Sequence, residues 1–336
     1  MCRGYFFIPI TMDSETSEKS EEERTLYFLY DSGATHTFAD PDSIERVTGT
    51  AVRSNKRIRL RNGHIGDLNF EALPTRIAEL DHLSIALGRE IDGILAYDAF
   101  GKSLLTLDYA SAQMWLSDGR LPRPDGETIF SSRGKDKRPW LSLEIAGKRQ
   151  KLLIDSGAST ALALNRPETY PTQSAPIVVS ASVRWDHIET RRAARLTDDI
   201  TIGETIIETP MIESVPGNQL LGGSLLQYFQ LTFDPKKKRV RLLPYSTANI
   251  TMPSEHGWGL IIRPVKTGLR IEDILAHGPA ASVDLMTGDT ITHVNEKPIA
   301  ERGCTRPLPS APITLTRLRD GQSSDVVLDL SAPLVP

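Results

Sequence analysis

Two aspartates, Asp31 and Asp155, stand in near-identical phrases: LYDSGATH from Leu29 and LIDSGAST from Leu153, 124 positions apart (155 − 31). In each, an apolar run leads into Asp, then Ser, Gly and Ala. The apolar run anchors a carboxylate at a rigid strand end, and Gly33 and Gly157 allow the tight backbone turn that follows it. Ser32 and Ser156 are small enough to bond backbone groups across a crowded interface. Two carboxylates brought to about 3 Å cannot both ionise easily and share a proton. The ionised one can then act as general base on a water while its protonated partner acts as acid.

The surroundings of the two phrases repeat as well, which is the first test of a true duplication. Before Asp31, the alternating stretch Tyr5 to Met12 is joined through the acidic turn DSETSEKSEEE to TLYFLY; before Asp155, WLSLEIAG turns through KRQ into KLLI. After them, Gly93 to Leu116 runs without a gap against Gln219 to Leu243, offset by 126 (219 − 93), so that Thr106 and Asp108 fall on Thr232 and Asp234. IGDLNFEALP, from Ile65, resembles IGETIIETP, from Ile202. Short strands and Gly/Asn/Asp turns dominate both copies.

Residues 1–120 and 137–246 are therefore expected to be two copies of one β-rich unit, and the polar, Gly/Pro-rich 121–136 a surface linker between them. Residues 254–334 form a third unit, with strand patterns GLIIRPV, RIEDILA, DTITHVN, ITLTRLR and VVLDL around one expected helix, PAASVDL.

Composition narrows the partners. The 336-residue chain is 39% hydrophobic and carries 39 basic against 43 acidic residues, a net charge of −4. No long-range field marks it as a binder of nucleic acid or of anionic membrane. Cys2 and Cys304 share no metal-ligand or redox spacing, so no disulfide framework is expected. No apolar run is long enough for a membrane span. YFFIPI lacks the length and cleavage site of an export signal, which points to the cytoplasm as written, or to the cell envelope if the gene begins upstream. The run Lys236-Lys237-Lys238-Arg239 falls at a hairpin turn of the repeat and is read as solvated. The scattered histidines offer no HExxH or clustered spacing, so neither metal nor cofactor is expected.

With Asp31-Ser32-Gly33-Ala34, Asp155-Ser156-Gly157-Ala158 and the later elements Ile94-Leu95-Ala96 and Leu220-Leu221-Gly222, the chain resembles the retropepsin-like and pepsin-like aspartic peptidases. The bacterial two-lobed members with a C-terminal PDZ domain are the nearest likeness. The resemblance implies a mainly β fold of two pseudo-two-fold acid-protease lobes and a small PDZ-like α+β domain. It implies aspartic endopeptidase activity on peptide or protein substrates, with Asp31 and Asp155 as the catalytic dyad and Ser32, Gly33, Ser156 and Gly157 as the supporting loops. Ala96 stands where the family usually has Gly. The resemblance also implies a β-hairpin flap, around Thr48 to Arg61 in the first copy or Ser180 to Arg195, with Trp185, in the second. Duplication makes a monomer sufficient for the dyad.

In the third unit, Gly257-Trp258-Gly259-Leu260 resembles the carboxylate-binding loop of PDZ domains, and HGPAASVDLMTGDTITHVNEKPI extends that likeness. Such a loop would cradle a peptide C-terminus on successive N–H groups. Two readings compete with a protease: both aspartates as solvated turn residues, and an inert protease-like scaffold serving as a PDZ adaptor; for the third unit, the alternative to peptide binding is a brace for the body.

Overall fold

The structure, a computed structural model, describes residues 1–2, 4–13, 20–183, 188–254, 256–303 and 311–335. It is mainly β. In the first copy six strands close into a barrel in the order Phe7–Met12, Thr25–Asp31, Gly93–Ala96, Thr37–Ala39, Leu68–Ile77, Arg57–Ile65, the last returning to the first through Thr11↔His64. In the second copy the order begins alike, Trp140–Ile145, Lys148–Asp155, Leu220–Gly222, Leu162–Leu164, and continues through Met211–Ser214 and Ile188–Arg195 to Ile177–Val183 as an open sheet.

The copies also differ in the length of one matching strand. Ile65 to Pro74 is one residue longer than Ile202 to Pro210. Losing one residue inside a strand would turn every following side chain to the opposite face. The second copy restores its facing with a break: Thr209 takes a left-handed φ of 35°, and the run that is continuous in Leu68–Ile77 becomes Thr205–Glu208 and Met211–Ser214.

Each Asp strand pairs in parallel with the later apolar element, Asp31 opposite Ala96 and Asp155 opposite Gly222. A five-stranded sheet joins the copies, in the order Gln113–Ser117, Leu104–Asp108, Phe229–Asp234, Arg239–Pro244, Ile129–Ser131. Its central pair sets Thr106 opposite Thr232, equivalent residues whose hydroxyls bond at 3.0 Å. One apolar core runs beneath both copies, from Phe28, Tyr30 and Leu95 to Ile154, Leu221 and Phe233.

Three expectations need correction. The supposed surface linker is structured: Ile129–Ser131 is an edge strand, and buried Leu121 donates its N–H to Asp234 (2.9 Å) while its carbonyl accepts from Arg239 (2.6 Å). The helix expected at PAASVDL is only the 3₁₀ turn Pro279–Ser282, because Val283, β-branched, leaves it in an extended conformation. Cys2 is buried and disulfide-bonded; Cys304 lies outside the described residues.

The C-terminal sheet runs Leu260–Val265, Gly268–Ile274, Thr290–Val294, Ile313–Arg319, Gln322–Leu328, with Lys297–Pro298 beside its middle strand. It has its own core around Leu269, Ile271, Ile291, Leu315 and Leu328.

Candidate active site

Asp31 and Asp155 end equivalent strands, and their carboxyl groups are hydrogen-bonded to each other. The glycines make this approach possible. A methyl group at Gly33 would lie 2.7 Å from Asp155 Oδ1, and one at Gly157 would lie 2.7 Å from Asp31 Oδ2. Each glycine is thus required by the opposite copy's carboxylate, a reason beyond turn geometry alone.

Beneath the carboxyls, Ser32 and Ser156 are fully buried and interlocked. The Ser32 hydroxyl donates to the Ile154 carbonyl (2.8 Å) and accepts from the Ser156 N–H (2.9 Å). The Ser156 hydroxyl donates to the Tyr30 carbonyl (3.2 Å) and accepts from the Ser32 N–H (3.0 Å). Both hydroxyls and both amides are satisfied, so the grip carries no desolvation penalty for unpaired groups and fixes the distance between the two strand ends.

The carboxylates also hold their own turns. Asp31 Oδ1 accepts from the N–H groups of Gly33 (2.7 Å) and Ala34 (3.0 Å), and Asp155 Oδ1 from Gly157 (3.0 Å). Both acids titrate above the ordinary aspartate range, chiefly because burial disfavours charge. For Asp31 the hydrogen bond from Asp155, the two turn amides and the charge of Arg138 work against that rise. For Asp155 the negative charge of Asp31 and the hydrogen bond to it add to the rise. The pair therefore titrates as one unit and shares a proton between the two carboxyls.

Arg138 was invisible in the sequence, one cation in GKDKRP. In the fold its guanidinium donates to the Gly33 carbonyl (2.6 Å), pairs with Asp136 (2.6 Å) and lies over the Trp140 ring. Only the run's position just ahead of the strand Trp140–Ile145 could have hinted at this.

No protein-family model matches the chain, and no curated protein matches it. Among solved structures, a retropepsin-like aspartic protease from Rickettsia conorii aligns with 35% of this chain and 89% of its own, at 21% identity and a TM-score of 0.29. That overlap is too slight to bear on activity.

Of the two expected flap positions, Thr48 to Arg61 begins at the end of a helix capped by Gly49 (φ 70°) and runs into Arg57–Ile65, which forms a hairpin with Leu68–Ile77. Ile177–Val183 and Ile188–Arg195 form another. Trp185 lies outside the described residues. Gly257, Trp258, Gly259 and Leu260 are far from the dyad in sequence, yet line a cavity of about 610 Å³ together with Ser159 and Ser224 from the second copy. Gly259 has a reason of its own to be glycine: φ is +71°, and a methyl group would lie 2.6 Å from the Cα of Gly278. Its smallness serves the contact with Gly278. Among the described residues no three His, Cys, Asp or Glu side chains gather as metal ligands, and no helix is long and apolar enough to cross a membrane.

Proposed function

We propose that the chain is an aspartic endopeptidase, with residues 1–120 and 137–246 as two pseudo-two-fold lobes and 254–334 as a PDZ-like unit for peptide recognition. The observation that carries this reading is the Asp31–Asp155 hydrogen bond, with each carboxyl admitted by the opposite glycine. A solvated turn needs neither feature.

The chemistry follows from one shared proton. A water between the carboxyls loses a proton to Asp31 as its oxygen attacks the scissile carbonyl carbon, while Asp155 gives its proton to the carbonyl oxygen. The tetrahedral species collapses as the C–N bond breaks, the hydroxyl proton returns to Asp155, and Asp31 passes its proton to the leaving nitrogen. Net, one water is consumed and the dyad regains its starting state. The hairpin Ile177–Val183/Ile188–Arg195 is the candidate flap over a bound peptide.

The test is digestion of an unstructured protein across pH 3 to 7 with and without a statine-type transition-state mimic. Cleavage that the mimic abolishes is expected. Absence of cleavage across the range, with the protein folded and its C-terminal unit still binding peptides, would favour the adaptor reading.

A further inference from the structure

The two copies present chemically different walls beyond their carboxylates. In the second, the cavity shared with the C-terminal unit is walled by Val179, Ser180, Ala193 and Met211, with Arg191 and Glu213 as charges of opposite sign. In the first, a cavity of about 710 Å³ opens next to Thr35 and His36, directly after the Asp31 turn, and to Asp98, directly after the strand that pairs with Asp31. Its wall includes Arg57, Arg59, Arg61 and Arg76.

Those arginines share one face for a geometric reason. Side chains alternate along a strand, so Arg57, Arg59 and Arg61 point one way while Leu60, buried, points the other. Arg76 lies directly opposite Arg57 on the neighbouring strand. Like charges in that relation repel. Arg76 donates to His36 Nε2 (2.8 Å) and not to a carboxylate. Arg57, Arg59 and Arg61 make no ion pair among the described residues, and Asp98 is the single carboxylate on this wall. The protein as a whole is acidic, so the cluster does not reflect overall composition.

We propose that this wall selects acidic residues of the substrate: an extended peptide whose Asp or Glu side chains, on one side of the scissile bond, pair with Arg57, Arg59, Arg61 and Arg76. Guanidinium groups suit carboxylates because the planar fork bonds both oxygens. The proposal deepens the peptidase reading and rests on it for the cleavage step, though binding can be measured without catalysis. A nucleic-acid ligand is disfavoured by the confinement of the cations to one hairpin face.

The test uses two peptide sets with one common core, carrying two Glu or two Gln a few residues to one side of the cleavage point. Exposed ion pairs contribute about twofold to fivefold each, so about a tenfold preference in kcat/KM for the Glu peptide, expressed in KM and shrinking with added salt, is expected. In R59Q/R61Q the Glu-to-Gln ratio should fall towards one, and R59K/R61K should recover most of it. Binding of labelled peptides to full-length D155N gives the same comparison if no cleavage is seen, which separates failure of this proposal from failure of the peptidase reading. Equal affinity and equal cleavage of both peptides, on either side of the bond, would overturn it, as would tighter binding of a single-stranded oligonucleotide than of the Glu peptide.

Discussion

The DSGA phrase occurs twice, but its two aspartates do not do the same thing. Asp31 has Arg138 nearby, a cation that favours its charged form, whereas Asp155 faces Asp31 itself as its largest charged neighbour. Four identical residues thus sit in different electrostatic surroundings, because Arg138, just ahead of the strand Trp140–Ile145, reaches only one of them. A repeat in sequence sets the carboxyls in contact; its departures make their surroundings unequal.

The same contrast holds one step further out. Ala96 and Gly222 occupy equivalent places beside the two aspartates, yet only the first tolerates a side chain. A methyl group at Gly222 would overlap the Thr160 carbonyl oxygen, while Ala96 is buried and its N–H donates to Thr37 Oγ1 (3.2 Å). The family-like glycine is needed in one copy only.

The largest effect that would sharpen this comparison comes from the glycines. Gly33→Ala and Gly157→Ala each drive a methyl group into the opposite carboxyl, so peptide hydrolysis should fall at least about a thousandfold in either, as for a dyad acting as a unit. Circular dichroism and thermal melting check that the fold survives. Unequal losses, with one variant near wild type, would mean the carboxyls are not held in mutual contact.

Gly222→Ala should destabilise by about 1 to 3 kcal/mol through overpacking, measured by urea unfolding, while Ala96→Gly should cost no more than about 1 kcal/mol. Similar losses in both would erase the distinction between the copies at this site.

A subtler contrast lies in pH. Arg138→Gln removes the cation that favours ionised Asp31, so the acidic limb of the pH–rate profile should move to higher pH, the alkaline limb much less. A merely structural loss would lower the rate without moving the limb.

The smallest effect is on stability. Because Asp155 is protonated in the fold above the pH at which the unfolded chain ionises, its contribution to stability is greatest below the ordinary aspartate value of 3.8 and is lost as pH rises through its higher folded value. Asp155→Asn should therefore melt close to wild type near pH 3 and above it near pH 7. A melting difference that does not grow with pH would contradict the raised titration of Asp155 in the fold.

Much of the site was legible because duplication is a long-range signal: matching phrases, strands and the Thr106/Thr232 register all align before any coordinates are known. What escaped was set by single contacts. Arg138 has the same composition around it as Lys135 and Lys137, and only folding brings it to Gly33. The linker reads as solvated because its anchors, Leu121 and Ile129, are two apolar residues among many polar ones, and their partners Asp234 and Arg241 lie far along the chain. The alternation RIRLR was on view, but its meaning depends on which face of the hairpin borders the cleft.

The central claim is that Asp31 and Asp155 act as one proton-sharing unit. Its most direct measurement is kcat/KM on a single cleaved peptide for the wild type, Asp31→Asn, Asp155→Asn and the double variant. The account predicts a loss of about three to four orders of magnitude in each single variant and little further loss in the double. Single variants that keep most of the activity, or losses that multiply in the double variant, would contradict it.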